Sequence, residues 1–291
     1  MKPHRHIASA ILVTGASTGI GYATAELLAR HGFTVFAGVR KDADASKLEH
    51  VHERIRPVRL DVEDAQEIAA AAHTIAECGL PLAGVVNNAG IAVPGPLEYL
   101  PIADLRRQFE INVFGAIAVT QAVLPLLRQS KGRVLFMSSV SGTIAPPFLG
   151  AYAGSKFAME ALADALRMEL SAFGIRVSII QPGAVRTPIW QKGRESKARI
   201  VASMPAAASE HYADALDSLV SVTKREERIG IEPAIVAQYV LRALTAPHPR
   251  ARYAIGSPAG WQRRMAALLP ERLRDRLILR TVRGESGEST E

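Results

Sequence analysis

Tyr152 and Lys156 stand four residues apart, and Ser139 lies thirteen residues before the tyrosine. On a helix, positions i and i+4 share a face, so this spacing sets a phenol beside an ammonium. A free tyrosine has a pKa of about 10, so roughly one in a thousand is ionised near pH 7. A fixed cation nearby favours the phenolate, and about 1.4 kcal/mol of attraction makes the ionised form tenfold more abundant. Tyr152 is therefore a candidate proton-transfer group, and Lys156 the cation that would lower its pKa. The pair alone falls on many helices by chance. Its weight comes from the other motifs in the chain.

Ile11-Leu-Val-Thr-Gly15-Ala-Ser-Thr-Gly19-Ile-Gly21 has the order of a strand, a glycine-rich turn and a helix start. Glycines let the backbone approach a pyrophosphate, and a helix N-terminus offers free N–H groups and a partial positive charge. Gly15, Ser17, Thr18, Gly19, Ile20 and Gly21 are the candidate phosphate contacts. After the second strand the chain reads Ala37-Gly-Val-Arg40-Lys41, with no acid until Asp42. An acid there would suit the ribose 2′-hydroxyl of NAD, whereas Arg40 can grip the 2′-phosphate of NADP. NADP(H) is thus favoured over NAD(H).

These groups need a scaffold that brings strand ends together. Short apolar runs alternate with amphipathic stretches over the first 190 residues, the pattern of βα units and a doubly wound parallel α/β sheet. Strands are expected at Ala10–Thr14, Thr34–Gly38, Val58–Leu60, Gly84–Asn87, Arg133–Ser138, Arg176–Gln181 and Arg252–Ile255. Helices are expected at Gly19–His31, Asp64–Cys78, Ala103–Gln129, Tyr152–Phe173 and Ile235–Leu244, with a shorter helical pattern near Ala206–Val222. The helix from Tyr152 is small and apolar nearly all round, as is Val113–Leu127. Both suit burial on two sides, one against the sheet and one against a second copy in a homodimer or homotetramer.

The 291 residues fit one domain, with a core at 8–190, a substrate lid at 191–230 and a C-terminal extension at 250–291. A single Cys78 excludes a disulfide framework and fits a reducing, cytoplasmic setting. Neither a signal peptide nor a transmembrane helix is expected. Nine arginines fall within 250–283 against Glu271 and Asp275, which matches the formal net charge of +7 for the whole chain. With no zinc-ligand spacing or nucleic-acid module, the stripe reads as a solvated face, and nucleic acid is not an expected partner. Contact with a membrane surface ranks behind closing the pocket or joining a neighbouring subunit.

Thr14-Gly-x-x-x-Gly-Ile-Gly21, Asp61-Val62, Asn87-Asn-Ala-Gly90, Asn112, Ser139, Tyr152-x-x-x-Lys156 and Pro182-Gly183 with Thr187 together resemble the short-chain dehydrogenases/reductases, in that family's order and spacing. The resemblance implies a Rossmann fold and hydride transfer between a nicotinamide cofactor and a carbonyl or alcohol. It makes Tyr152 the general acid/base, Ser139 the group that binds the reacting oxygen, and Lys156 a partner of both the phenol and the nicotinamide ribose. Asn112 would hold a water in a proton relay to Lys156. Asp61 and Val62 would meet the adenine. Asn88, Ala89 and Gly90 would line the adenosine ribose, and Pro182, Gly183, Val185 and Thr187 the carboxamide. Ser138 and Ser141 flank Ser139, but its spacing to Tyr152 singles it out. No metal is implied.

Ile91-Ala-Val-Pro94, Thr143–Leu149 and Ile189-Trp190 are mostly apolar, so the expected substrate is a bulky hydrophobic alcohol or carbonyl compound of the steroid, retinoid or lipid kind. Two other readings are a sugar-nucleotide epimerase or dehydratase and a non-catalytic nicotinamide-binding regulator. The glycine spacing weighs against the first, and retention of both Tyr152 and Lys156 weighs against the second.

Overall fold

The structure is a computed structural model that describes residues 8–202, 204–256 and 269–282. Seven parallel strands form one sheet in the order β3-β2-β1-β4-β5-β6-β7. They are β1 (Ala10–Val13), β2 (Thr34–Val39), β3 (Ile55–Arg59), β4 (Leu82–Asn87), β5 (Arg133–Met137), β6 (Arg176–Pro182) and β7 (Arg252–Ile255). The order reverses between β1 and β4, and such a switch point opens a crevice beyond the strands' carboxyl ends.

Parallel strands need crossovers, and helices on both faces supply them. β1 and β2 are buried throughout, because each face of the sheet is covered. Leu12, Phe36, Val85 and Phe136 face one layer, with α3 (Ala65–Glu77), α5 (Ala116–Ser130) and α6 (Gly150–Glu169). Ile11, Val13, Val35 and Leu135 face the other, with α1 (Gly19–Arg30) and α9 (Pro233–Thr245). The period of two along each strand divides the residues in this way.

Several expected elements change at their edges. The third strand begins at Ile55, earlier than expected, because Arg56, Pro57 and Arg59 break the apolar run that marks a strand. β3 is an edge strand, where a proline is tolerated. A short polar helix, α2 (Asp42–Glu49), was not expected, since Leu48 is its one buried residue. The helix expected at Ala103–Gln129 is α4 (Ile102–Phe109), a π-helical turn over Glu110–Gly115, and then α5. This run, Ile102–Ser130, is the one helix among the described residues long and apolar enough to cross a membrane, and half of its most apolar window is buried here. Its Val119, Val123 and Leu127 belong to the layer beneath the sheet.

The polar run Gln191–Lys197 lies within a helix, α7 (Ile189–Ala202). The pattern near Ala206–Val222 extends through the charged Lys224–Arg228 to give α8 (Ala206–Ile229). Both helices are held by ion pairs that hydrophobic periodicity does not register. Of the C-terminal extension, the structure describes β7 and α10 (Glu271–Val282). Trp261, Arg263, Arg264 and Arg283 lie outside the described residues.

Candidate active site

The carboxyl ends of the central strands open into one cavity of about 1160 Å³. Of the candidate catalytic and cofactor-binding residues, all but Gly21 and Asn112 line it.

The glycine turn has the shape of a phosphate cradle. Gly15 and Gly19 have φ of +64° and +59°, a region that side chains other than glycine rarely adopt. A Cβ on Gly21 would stand 2.2 Å from the carbonyl oxygen of Gly15 and 2.5 Å from Nδ2 of Asn88. Gly21 is therefore needed for packing behind the turn, and it does not touch the cavity. Asn88 donates to the Thr14 and Gly15 carbonyls at 3.0 and 3.1 Å, while Thr14 Oγ1 accepts from the Asn88 and Ala89 backbone N–H groups at 3.0 Å. These bonds tie the ends of β1 and β4 together across the switch point. Thr18 precedes α1 without a side-chain cap, and the first turn carries no acid, so no side chain of the cap claims its first N–H groups. Such donors fit a pyrophosphate.

Arg40 and Lys41 reach the same end of the cavity. The Arg40 guanidinium is half exposed and lies 3.9 Å from Asp61 Oδ2, a distant pairing that leaves its fork open to an anion. Asp61 is not the cap of α3. Asp64 takes that role, accepting from the N–H groups of Gln66 and Glu67. Pro182 and Gly183 end β6, and the loop beyond brings Thr187 against the glycine turn, within 3.0 Å of where a Cβ on Gly19 would be.

At the other end, the turn after β5 presents Ser139, and the first turn of α6 presents Tyr152. Burial pushes the Tyr152 phenol above its ordinary value, and a hydrogen bond with Ser139 partly offsets this. In this arrangement burial is the larger influence on the phenol and Ser139 the smaller. Lys156 Nζ stands 5.7 Å from the centre of the Tyr152 ring but donates at 2.7 Å to the Met137 carbonyl. Burial brings the lysine down to about 8, while Glu160 pulls in the opposite direction. Burial is the larger cause for both groups.

Asn112 is fully buried and is not among the residues that line the cavity. Its Nδ2 donates to the Ile91 carbonyl at 3.0 Å and to Ser155 Oγ at 3.1 Å, and its Oδ1 accepts from the Ile91 N–H at 2.9 Å. The amide is spent as a clasp between the π-helical turn, the loop after β4 and α6, with both of its donors used on protein. Gln108, one turn earlier and fully buried, repeats the clasp on Ile91 and Val93 at 2.8 Å. Sequence reasoning missed Gln108. The available signal was a second amide four residues before Asn112, on a helix whose other polar residues there are charged.

The three apolar segments expected at the substrate end all reach the cavity, through residues such as Val93, Ile144, Leu149 and Trp190. The lid side is charged, with Lys192, Arg194 and Glu226 also lining the wall. Arg194 pairs with Glu227 at 2.7 Å, joining α7 to α8, and Arg199 grips Asp104 with two bonds of 2.8 and 3.1 Å, joining α7 to α4. From α10, Arg274 and Ile278 also line the wall, so the described part of the C-terminal extension borders the pocket.

A proton donor beside a hydroxyl, at one end of a cavity whose other end is a glycine cradle, is arranged for proton-coupled hydride transfer. The family model for short chain dehydrogenases matches residues 9–198. The chain belongs to that family. Its members are oxidoreductases that interconvert alcohols and carbonyls with a nicotinamide dinucleotide. The chain is 34% identical over 288 residues to an NADPH-dependent 3-dehydrocapnine reductase of Ornithobacterium rhinotracheale, covering 96% of this chain and 99% of the relative. It is 38% identical over 283 residues to mouse (Mus musculus) retinol dehydrogenase 5, covering 92% and 87%. Among solved structures, a short-chain dehydrogenase from Streptomyces avermitilis superposes with a TM-score of 0.76 at 27% identity, covering 98% of this chain and all of that one.

Proposed function

We propose that this short-chain dehydrogenase is an NADP(H)-dependent oxidoreductase acting on a bulky hydrophobic alcohol or carbonyl compound. The observation that carries the reading is a single cavity that joins the glycine cradle and Arg40 to the Ser139–Tyr152–Lys156 group and then to an apolar mouth. Bound along the cradle, the dinucleotide supplies or accepts the hydride. Gly15, Ser17, Thr18, Gly19 and Ile20 hold its pyrophosphate, and Arg40 with Lys41 its 2′-phosphate. Asp61 and Val62 border the adenine, Asn88 to Gly90 the adjoining ribose, and Pro182, Gly183, Val185 and Thr187 the carboxamide.

In reduction, Tyr152 gives its phenolic proton to the carbonyl oxygen while Ser139 donates a hydrogen bond to the same oxygen. The two hydroxyls stabilise charge where it develops. The positive charge on Lys156 offsets the phenolate that forms. In oxidation the same proton returns to Tyr152. The name of the Ornithobacterium reductase supports NADPH, and that of the mouse relative supports a lipid-like alcohol.

A homo-oligomer is part of the proposal. Phe114 on the π-helical turn and Phe157 and Met168 on α6 are exposed apolar side chains that a second copy would cover. A cytoplasmic setting is proposed on the lone Cys78. Spectrophotometric turnover of NADPH and NADH against a panel of hydrophobic ketones and aldehydes, with Tyr152→Phe alongside, tests the reading. Turnover that prefers NADPH and collapses in the variant is expected. Cofactor binding without turnover in either direction would favour the non-catalytic regulator.

A further inference from the structure

Beyond the residues that touch the cavity, α6 carries a second ionisable side chain on the lysine's face. Glu160 follows Lys156 by one helical turn, and both are buried, at 7% and 4% exposure. A buried carboxylate is costly unless it is paired and hydrogen-bonded. Glu160 meets that condition through the far half of the sheet. Its Oε1 accepts from Gln181 Nε2 on β6 at 2.9 Å, and its Oε2 from Arg252 Nε on β7 at 2.9 Å. Arg252 continues to Asp164 with bonds of 2.6 and 3.1 Å, and Arg167 closes the row on Asp164 at 3.2 Å.

The row alternates in sign along α6, and its anionic end is the one next to Lys156. It also supports the serine turn. A Cβ on Gly142 would come within 2.7 Å of Ser138 Oγ and 3.1 Å of Glu160 Oε1, so that turn rests almost directly on the carboxylate.

We propose that Glu160 is a positioning residue, which keeps the neighbouring Lys156 in its ammonium form and seats the turn that carries Ser139. This rests on the oxidoreductase reading, in which the Lys156 charge is needed. Among the described residues, Glu160 is the one charge set against the burial cost of the lysine. On α6 the other polar neighbour is Tyr152, whose phenol is un-ionised. From β5 comes the Met137 carbonyl, and the loop after β4 approaches at Gly90. Facing Glu160 itself are Arg252, Gln181 and the turn at Gly142, with Asp164 and Arg167 further along the row.

The test is NMR titration of the full-length protein labelled in its lysine side chains, with the Lys156 signal assigned by its loss in Lys156→Met. Wild type is expected to titrate near 8. Glu160→Gln keeps the shape and removes the charge, and should lower the Lys156 midpoint by about one pH unit or more. Glu160→Asp keeps the charge while disturbing the packing, and should leave the midpoint nearer to that of wild type. A purely structural role would move both variants alike, and an unchanged midpoint in Glu160→Gln would overturn the proposal. Should Glu160→Gln not fold, the Glu160 carboxyl carbon in wild type must shift at the Lys156 midpoint, and a flat signal there would overturn it too. None of these readouts needs a substrate, so a failure of the oxidoreductase reading would appear separately, as wild-type protein that turns nothing over.

Discussion

Lys156 is hydrogen-bonded to the carbonyl of Met137 at 2.7 Å, although its charge stands only 5.7 Å from the centre of the Tyr152 ring. The lysine is therefore anchored to the sheet. Both it and the phenol bear the cost of burial.

The anchoring predicts a pH profile. With Lys156 brought down to about 8 by burial, its ammonium is lost as pH rises through that value. Carbonyl reduction should fall above about pH 8, measured as initial rate with saturating cofactor. Stability moves the other way. Between about 8 and 10.5 the unfolded chain holds a proton that the folded chain has released, so this group's contribution to stability rises with pH in that window.

Tyr152→Phe removes the proton donor and keeps the ring. Turnover should drop by roughly 10²–10⁴-fold, the range for general acid–base catalysis. Cofactor binding, followed by fluorescence, should stay within a fewfold of wild type. A variant that keeps a tenth or more of the activity would show that another group supplies the proton.

Arg40→Ser should cut the preference for NADPH over NADH by about tenfold or more, since a charge-assisted hydrogen bond contributes about 1.5–3 kcal/mol. Its side chain is half exposed and only distantly paired, so the melting temperature should barely change. An unaltered cofactor ratio in kcat/KM would remove Arg40 from the site.

Gly21→Ala places a methyl 2.2 Å from a backbone oxygen that cannot move without opening the glycine turn. Overpacking of this kind costs about 1–3 kcal/mol. Thermal unfolding should show a melting temperature lower by several degrees and a weaker response to added NADPH.

Arg199→Ala breaks the two-bond grip on Asp104 that holds α7 to α4. The guanidinium is mostly exposed, and such pairs add about 0–1 kcal/mol to stability. The melting temperature should stay put while KM for a bulky ketone rises severalfold. Equal effects on kcat and on stability would mean that α7 serves as a structural brace and not as a lid.

Much of this protein is decided locally, and so was legible in its sequence. Gly15 and Gly19 are glycines because the turn needs positive φ, and buried strands such as β1 and β2 announce themselves as unbroken apolar runs. Tyr152 and Lys156 share a face because a helix has 3.6 residues per turn. Those facts place the candidate residues at strand ends and helix starts, where a doubly wound sheet must gather them.

What the tertiary structure decided are the effects that depend on depth and on partners distant in sequence. Whether Lys156 lowers the phenol depends on how much water each group loses, and residue spacing carries no measure of burial. Asn112 becomes a clasp because Ile91 and Ser155 are folded against it from two other elements. Glu160 joins the site because β6 and β7 deliver Gln181 and Arg252 to it, the latter from 92 residues away. The charged helices α7 and α8 escaped an apolar pattern because ion pairs with Asp104 and with each other help hold them. Periodicity records the side chain that seeks the core, whereas a buried charge is recorded only by the partner that the fold brings to it.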